Sequence, residues 1–376
     1  MSLRQLLAGE IRSLFTDTTV MLTVFLGVFL YSFLYPLPYL KQLPREQQVV
    51  VVNLDGSQLS RQLERMVDAT PQIHISERMH SLAGARERFL SRKTAGILVI
   101  PERFYRDLRL GLRPTLGFAG DASMLLVYGT VLEGMSTAAG TLAAQVAVQQ
   151  LLLEGQPPRL ARDQFRGAWL NLRTVFNPTM GYVSYVIPAV FVLILHQTLV
   201  IGAGLVSCAK RGTTVSSSPG MLVLVRCGLF MAIYMVLCLY YFGFCYDLYG
   251  IPRQAEMWML AAIMLPFLAA ASFLGMTLGL VLPRRELVTL VVLLSSMPLI
   301  FSSGFIWPES ALPRPLVLLL QMIPAVPAIK ALLGVNQLGA GYADIVPQLA
   351  QLWLCAGFYG ALAWYLAGRR LSTRLS

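Results

Sequence analysis

The chain has 376 residues, 56% of them hydrophobic and only 13% charged, with a net charge of +11 at pH 7. A soluble globular chain carries about 25% charged residues, so there is too little polar sequence here to coat a soluble body of this size. The apolar excess is gathered into runs about as long as a bilayer core is thick, about 20 residues, which points to a chain that spans a membrane repeatedly.

Residues 1–18 read as a short amphipathic elbow helix, with Leu3, Leu6, Leu7, Ile11, Leu14 and Phe15 at helical spacing and Arg4, Glu10 and Arg12 between them. Residues 19–40 form the first apolar run. No small-x-small cleavage site follows it, because Tyr31–Pro36 is bulky, so it is expected to stay as the first span. The sequence then changes character, and residues 41–178 have an α/β rhythm. Val49–Val52 is a buried-strand run that ends at Asn53 and the turn Leu54-Asp55-Gly56. Ser57 or Ser60 can cap a helix to about Ala69, Gln72–Glu77 alternates like a strand, and Leu82–Arg92 reads as a second helix. Strands at Gly96–Pro101 and Thr115–Gly120 and a long helix at about Ser123–Glu154 complete a small sheet with helices packed on it. Residues 179–376 are apolar again, with runs near 181–206, 221–244, 257–282, 287–306 and 349–367. Between the last two lies a segment near 308–334 that holds Pro313, Pro315, Pro324 and Pro327, too much proline for a straight span and better suited to a re-entrant or interfacial element. The expected fold class is an α-helical polytopic membrane protein. It has about six spanning helices and an extracytoplasmic α/β domain inserted between the first and second.

Orientation follows from the short loops. Arg4 and Arg12 precede the first span, Lys210 and Arg211 follow the second, and Arg226 opens the third. Arg284 and Arg285 separate the fourth and fifth, and Arg369, Arg370 and Arg374 follow the last. The opposite loops are mixed in charge, with Asp247, Arg253, Glu256, Glu309, Arg314, Lys330 and Asp344. This asymmetry puts both termini in the cytoplasm and residues 41–178 outside. Part of the positive charge is thus topology signal, and no nucleic-acid partner is called for.

Candidate chemistry is sparse. The sequence has no G-x-x-x-x-G-K-[ST], no G-x-S-x-G and no H-E-x-x-H, so no catalytic residue, cofactor or nucleotide site is expected. Cys208, Cys227, Cys238, Cys245 and Cys355 lie in or beside spans without C-x-x-C spacing, so no metal site is expected either. His74 and His80 read as surface residues. His196 sits with Gln197 near the middle of the second span, where a polar pair either bonds a neighbouring helix or lines a transport path. Gly202-Ala203-Gly204 and Gly275–Gly279 permit close helix contact, and Trp307, Tyr240, Tyr241 and Tyr246 read as interface aromatics.

The order of elements resembles the permease subunits of type 2 ABC exporters, the drug and polysaccharide export class. Phe176-Asn177-Pro178 stands just before the second span and is followed by Pro188, much like that family's F-N-P segment and later proline. Lys210-Arg211-Gly212-Thr213 follows the second span, where the family has a charged stretch ending in Gly-Thr. Ser303-Gly304-Phe305-Ile306-Trp307-Pro308, then Leu312-Pro313 and Pro324, resembles its S-G-x-x-x-P turn, L-P pair and following proline. Val51–Gly56 and the helix after it look like the start of the family's extracytoplasmic domain. One departure stands out: the family's glutamate before Gly-Thr is missing, and Val215–Pro219 is serine-rich.

The resemblance implies a permease subunit of an ATP-driven exporter in the bacterial inner membrane. It implies a second permease chain, identical or different, cytoplasmic ABC ATPase subunits, and a periplasmic membrane-fusion adaptor. Lys210, Arg211, Gly212, Thr213, Arg4 and Arg12 then become the ATPase-coupling candidates. His196, Gln197, Asn177, Pro178, Ser303, Gly304, Trp307 and Glu309 become the translocation-path candidates. Two other classes fit the residues less well. An ATP-independent secondary transporter or channel often shows inverted repeats and charges within spans. A membrane-anchored sensor needs only one or two spans and a cytoplasmic signalling domain.

Overall fold

A computed structural model describes residues 3–40, 44–91, 93–160, 177, 181–209 and 218–372. The chain divides into two compact units, Lys41–Arg173 and the remainder, Met1–Leu40 with Thr174–Ser376.

The inserted unit is built on a four-stranded sheet of β1 (Gln47–Asn53), β2 (Ile73–Met79), β3 (Gly96–Ile100) and β4 (Gly117–Gly120). The strand order is β2-β1-β3-β4, with β1 parallel to both neighbours and β4 antiparallel to β3. The central strand is the unbroken Val49–Val52 run because helices cover both of its faces. Val49 and Val51 share a core with Leu63 and Val67 of α3 (Gln58–Asp68), Phe104 of α5 (Phe104–Arg109), and Val131, Met135 and Leu142 of α6 (Leu125–Leu153). Val50 and Val52 pack the other way, with Ile97, onto Ala85 of α4 (Leu82–Leu90). Ser57 caps α3 by accepting from the Ser60 backbone at 3.1 Å. Asn53 holds the turn before it. Its Oδ1 accepts from the backbone of Asp55 and Gly56 at 3.1 and 2.9 Å, and its Nδ2 donates to Glu64 Oε1 at 2.6 Å. Helix α5 is absent from the sequence-based expectation; it is six residues long and three of them are charged.

The other unit is all helical. Helix α1 (Leu3–Thr16) ends at Asp17, whose Oδ1 accepts from the Thr19 and Val20 backbone at 3.0 and 3.3 Å and so caps α2 (Thr18–Tyr39). Next come α7 (Tyr182–Ala209), α8 (Pro219–Tyr249), α9 (Met257–Val281), α10 (Arg285–Ser302), α11 (Arg314–Gln321), α12 (Ala325–Gln337) and α13 (Tyr342–Ser372). Among the described residues six helices are long and apolar enough to cross a membrane: α2, α7, α8, α9, α10 and α13. The chain is thus a polytopic helical membrane protein with an inserted α/β domain.

The proline-rich segment forms α11 and α12, which meet at 88°. Four of its prolines start these two short helices: Pro313 and Pro324 precede them, and Pro315 and Pro327 fall in their first turns, where a missing N–H leaves no bond unmade.

Helix α7 is the axis of the bundle, buried along nearly its whole length. It touches α9 backbone to backbone. A Cβ on Gly279 would lie 2.2 Å from the Gly204 carbonyl oxygen, and one on Gly275 would lie 2.5 Å from that of Val200. The first span buries its Val20-Val24-Val28 ridge together with Ser32 and Pro36, while Leu22, Leu26, Phe29, Leu30, Phe33 and Leu34 face outward. A tyrosine clasp joins it to α8. Tyr241 donates to the Val28 carbonyl at 2.8 Å, and Tyr249 donates to that of Ser32 at 2.7 Å. The second bond has a covalent cause: the residue four beyond Ser32 is Pro36, which has no N–H to give. The expectation that Tyr241 and Tyr246 sit at the membrane interface is corrected. Both are fully buried, and Tyr241 stacks on Phe191 with centroids 4.2 Å apart. Both spans of the clasp carry a π-helical stretch, Leu22–Leu26 and Tyr240–Cys245.

The contact between α7 and α9 leaves no room for a methyl group. Gly279→Ala should therefore lower the stability of the purified protein by about 1–3 kcal/mol. Gly228→Ala, whose Cβ meets nothing within 4 Å, should be neutral or raise stability by up to about 1 kcal/mol through helix propensity alone. Thermal melting of both variants in the same detergent checks the pair.

Candidate functional site

Polar side chains gather at three levels of the bundle. At the α1 end, Leu6, Glu10 and Leu14 lie four residues apart on the buried face of α1, so the helix carries a carboxylate into an apolar core. A charge there needs a partner, because leaving it unpaired is far costlier than leaving an amide unpaired. Arg226 of α8 supplies one in bidentate form, Nε to Oε2 at 2.9 Å and Nη2 to Oε1 at 3.0 Å, with Glu10 2% and Arg226 4% exposed. The remaining Nη1 donates to Ser207 Oγ at the end of α7, at 2.9 Å. A few residues on, Arg285 at the start of α10 donates to Asp17 Oδ2 at 2.8 Å. Two arginines that the loop-charge pattern reads as topology markers are therefore also structural partners of the elbow. The pairing is nearly silent in sequence; the one local signal is an acidic residue at the centre of an apolar ridge.

The coupling candidates divide between what is described and what is not. Arg4 and Arg12 are exposed on α1, beside an exposed apolar ridge of Leu3, Leu7, Ile11 and Phe15. Lys210, Arg211, Gly212 and Thr213 lie outside the described residues, in the segment that joins the end of α7 to the start of α8.

At mid-bundle the neighbours His196 and Gln197 diverge. Gln197 donates to Ser296 Oγ of α10 at 2.6 Å, an interhelical hydrogen bond. His196 is buried beside Phe267 of α9, with ring centroids 6.3 Å apart, and neither ring nitrogen has a hydrogen-bond partner among the described residues.

The other path candidates collect at the opposite end of α7. Asn177 bonds both backbone groups of Gly181, donating at 3.0 Å and accepting at 3.3 Å, and thereby shapes the entry to α7; Pro178 lies outside the described residues. Tyr185 of α7 donates to the Phe305 carbonyl, which anchors the Ser303–Pro308 turn. Ser303 is buried and donates to the Ile300 carbonyl at 2.8 Å, Gly304 turns the chain at φ 85°, and Trp307 faces outward. Glu309 follows at the head of the bent pair. It accepts from Lys330 Nζ of α12 at 2.6 Å and from Gln321 Nε2 of α11 at 3.0 Å. The bond from Lys330 holds the Glu309 carboxyl below the usual carboxylate range, against a smaller opposing effect of burial. Lys330 was absent from the path candidates. The bend between α11 and α12 brings it to Glu309 across 21 residues of sequence.

A family model described as ABC-2 family transporter protein matches residues 18–365. No curated protein and no solved structure gives a match.

The two mid-bundle neighbours should respond differently to substitution. Gln197→Leu loses its bond to Ser296 and should lower stability by about 0.5–1.5 kcal/mol. His196→Leu removes only a buried group that has no hydrogen-bond partner among the described residues and should leave the melting temperature unchanged or raise it. Melting curves of the two variants check this.

Proposed function

The chain belongs to the ABC-2 transporter family, which makes it a multi-pass permease subunit of an ABC transporter and implies an ABC ATPase partner, and from that premise we propose that it works as half of a pair of permease chains that exports a substrate. The observation that carries this is the reach of the family match, from the first span through the inserted domain into α13. The sequence itself has no phosphate-binding loop, so energy has to enter from a partner chain.

In this reading both termini are cytoplasmic, residues 41–178 lie outside, and the membrane is the bacterial inner membrane. Helix α1 lies along the cytoplasmic surface, with Leu3, Leu7, Ile11 and Phe15 in the headgroup layer. Two ATPase subunits meet α1 and the 210–217 segment, where the charge of Arg211 is worth about 0–1 kcal/mol. Closure of the ATPases tilts the spans and opens a path between the two permeases. The outward apolar face of α10, with Leu290, Leu293, Leu294 and Met297 exposed, is available to lipid or to the second permease chain. Asn177, the Ser303–Pro308 turn and the Glu309–Lys330 pair form the outer mouth of that path. The α/β domain docks a periplasmic adaptor.

Two experiments test this. Single cysteines replace Ser136 on α6 and Ser217 in a background lacking Cys208, Cys227, Cys238, Cys245 and Cys355. An impermeant maleimide should label position 136 in intact cells and position 217 only after lysis; the reverse pattern overturns the orientation. The double substitution Arg211→Glu with Gly212→Val should leave insertion intact, since Lys210 and Arg226 still mark the loop. It should abolish co-purification of the ATPase and permease-stimulated ATP hydrolysis. Normal binding and stimulation by this variant would remove the 210–217 segment from the coupling surface.

A further inference from the structure

The Glu10–Arg226 pair is an unusual way to fasten a helix. Both groups are almost wholly buried, and an apolar pair of similar volume generally stabilises a core as well or better. What an ion pair adds is fixed geometry. The planar Arg226 fork engages both Glu10 oxygens through Nε and Nη2, and its third nitrogen, Nη1, donates to Ser207 Oγ; Ser207 in turn donates to the Ala203 carbonyl at 2.7 Å. One guanidinium thus joins three elements: α1, the last turns of α7 and the second turn of α8. The last two are the ends of the helices that flank the 210–217 segment. Ser207 stands three residues before that segment and Arg226 nine after it. At the other end of α1, Asp17 caps α2 and holds Arg285 of α10.

We propose that Glu10 and Arg226 are positioning residues for coupling: they make α1, the end of α7 and the start of α8 one rigid body. Force delivered by an ATPase to any of the three moves all of them, and Asp17–Arg285 hands that movement to α10. This rests on the reading of the chain as an ATPase-driven permease. It assigns the transmission to a buried clamp, whereas the coupling candidates drawn from the sequence are Arg4, Arg12 and the Lys210–Thr213 stretch.

The test uses the permease purified with its ATPase, in the cysteine-free background. Spin labels are placed in pairs drawn from three exposed positions: Ala8 on α1, Leu224 on α8 and Leu354 on α13. In the otherwise unaltered clamp, vanadate trapping should leave the Ala8–Leu224 distance unchanged while both move relative to Leu354. Glu10→Gln with Arg226→Gln removes the pair without stranding a charge. It should broaden the Ala8–Leu224 distances on trapping and lower permease-stimulated hydrolysis at least about fivefold, the lower end of ordinary coupling between sites, while the amount of bound ATPase stays the same. The swapped pair Glu10→Arg with Arg226→Glu should restore both readouts toward the original, which a purely structural role would not require of the hydrolysis rate. An Ala8–Leu224 distance that shifts on trapping with the clamp intact overturns the inference, even if the glutamine variant fails to accumulate. So does a glutamine variant with unaltered distances and stimulation. If no ATPase accompanies the purified permease, the functional reading itself fails; an ATPase present with a mobile Ala8–Leu224 pair sinks the clamp alone.

Discussion

The bundle is organised by the approach of α7 and α9 at Gly204, Gly275 and Gly279. In a bilayer there is no hydrophobic drive to bring one apolar helix to another, so association depends on dispersion contact and on hydrogen bonds, and both strengthen as backbones approach. Three glycines give α7 and α9 that contact, and α7 becomes a rod with neighbours on every side. The first span meets it at Gly202, where a Cβ would stand 2.7 Å from Val24. Helix α10 meets it through Gln197 and Ser296, and the Ser303–Pro308 turn meets it through Tyr185. The first span, α10 and the Ser303–Pro308 turn are thus each positioned by a residue of α7.

The second organising demand is that polar groups carried into the core must be answered there. Pro36 orphans the Ser32 carbonyl and Tyr249 fills it, and Glu10 is answered by Arg226. The first span is held to α8 mainly by such bonds; much of its apolar surface faces outward, so its attachment owes less to packing than that of α9. The unanswered groups are correspondingly informative. His196, Ser272 and Asn336 each bury polar atoms that find no partner among the described residues, and they mark where the bundle is least well satisfied.

The spans were legible in the sequence because an apolar run of bilayer length has few alternatives, and the sheet because its central strand is an uninterrupted valine run. Helix α5 was not, since six residues with three charges carry no usable period. Tyr241 and Tyr246 were misread because an aromatic hydroxyl near a span end has the same local pattern whether it reaches water or a carbonyl on another helix. For Tyr241 the position of Val28 decides, and that is a tertiary fact. Arg226 shows the same limit. A basic residue at the start of a span satisfies the positive-inside pattern and the ion pair equally well, so the simpler account hid the other. At the opposite end, Glu309 was singled out but Lys330 was not, because nothing short of the 88° bend brings them together.

The clamp also sets an order of events during synthesis. Glu10 and Arg226 are 216 residues apart, and at ribosomal speeds of about 5–20 residues per second Arg226 emerges about 10–40 s after Glu10. For that interval α1 has no ion pair, and the first span has no tyrosine clasp. It has to persist in the bilayer as a lone helix, which its lipid-compatible surface permits, with Glu10 still hydrated at the edge. The α/β unit needs nothing from the later spans for its core and can complete itself during this wait. Helix α1 is thus made well before the partner that seats it. A nascent chain arrested before α7 should be a tethered domain on a single anchor, not a partial bundle.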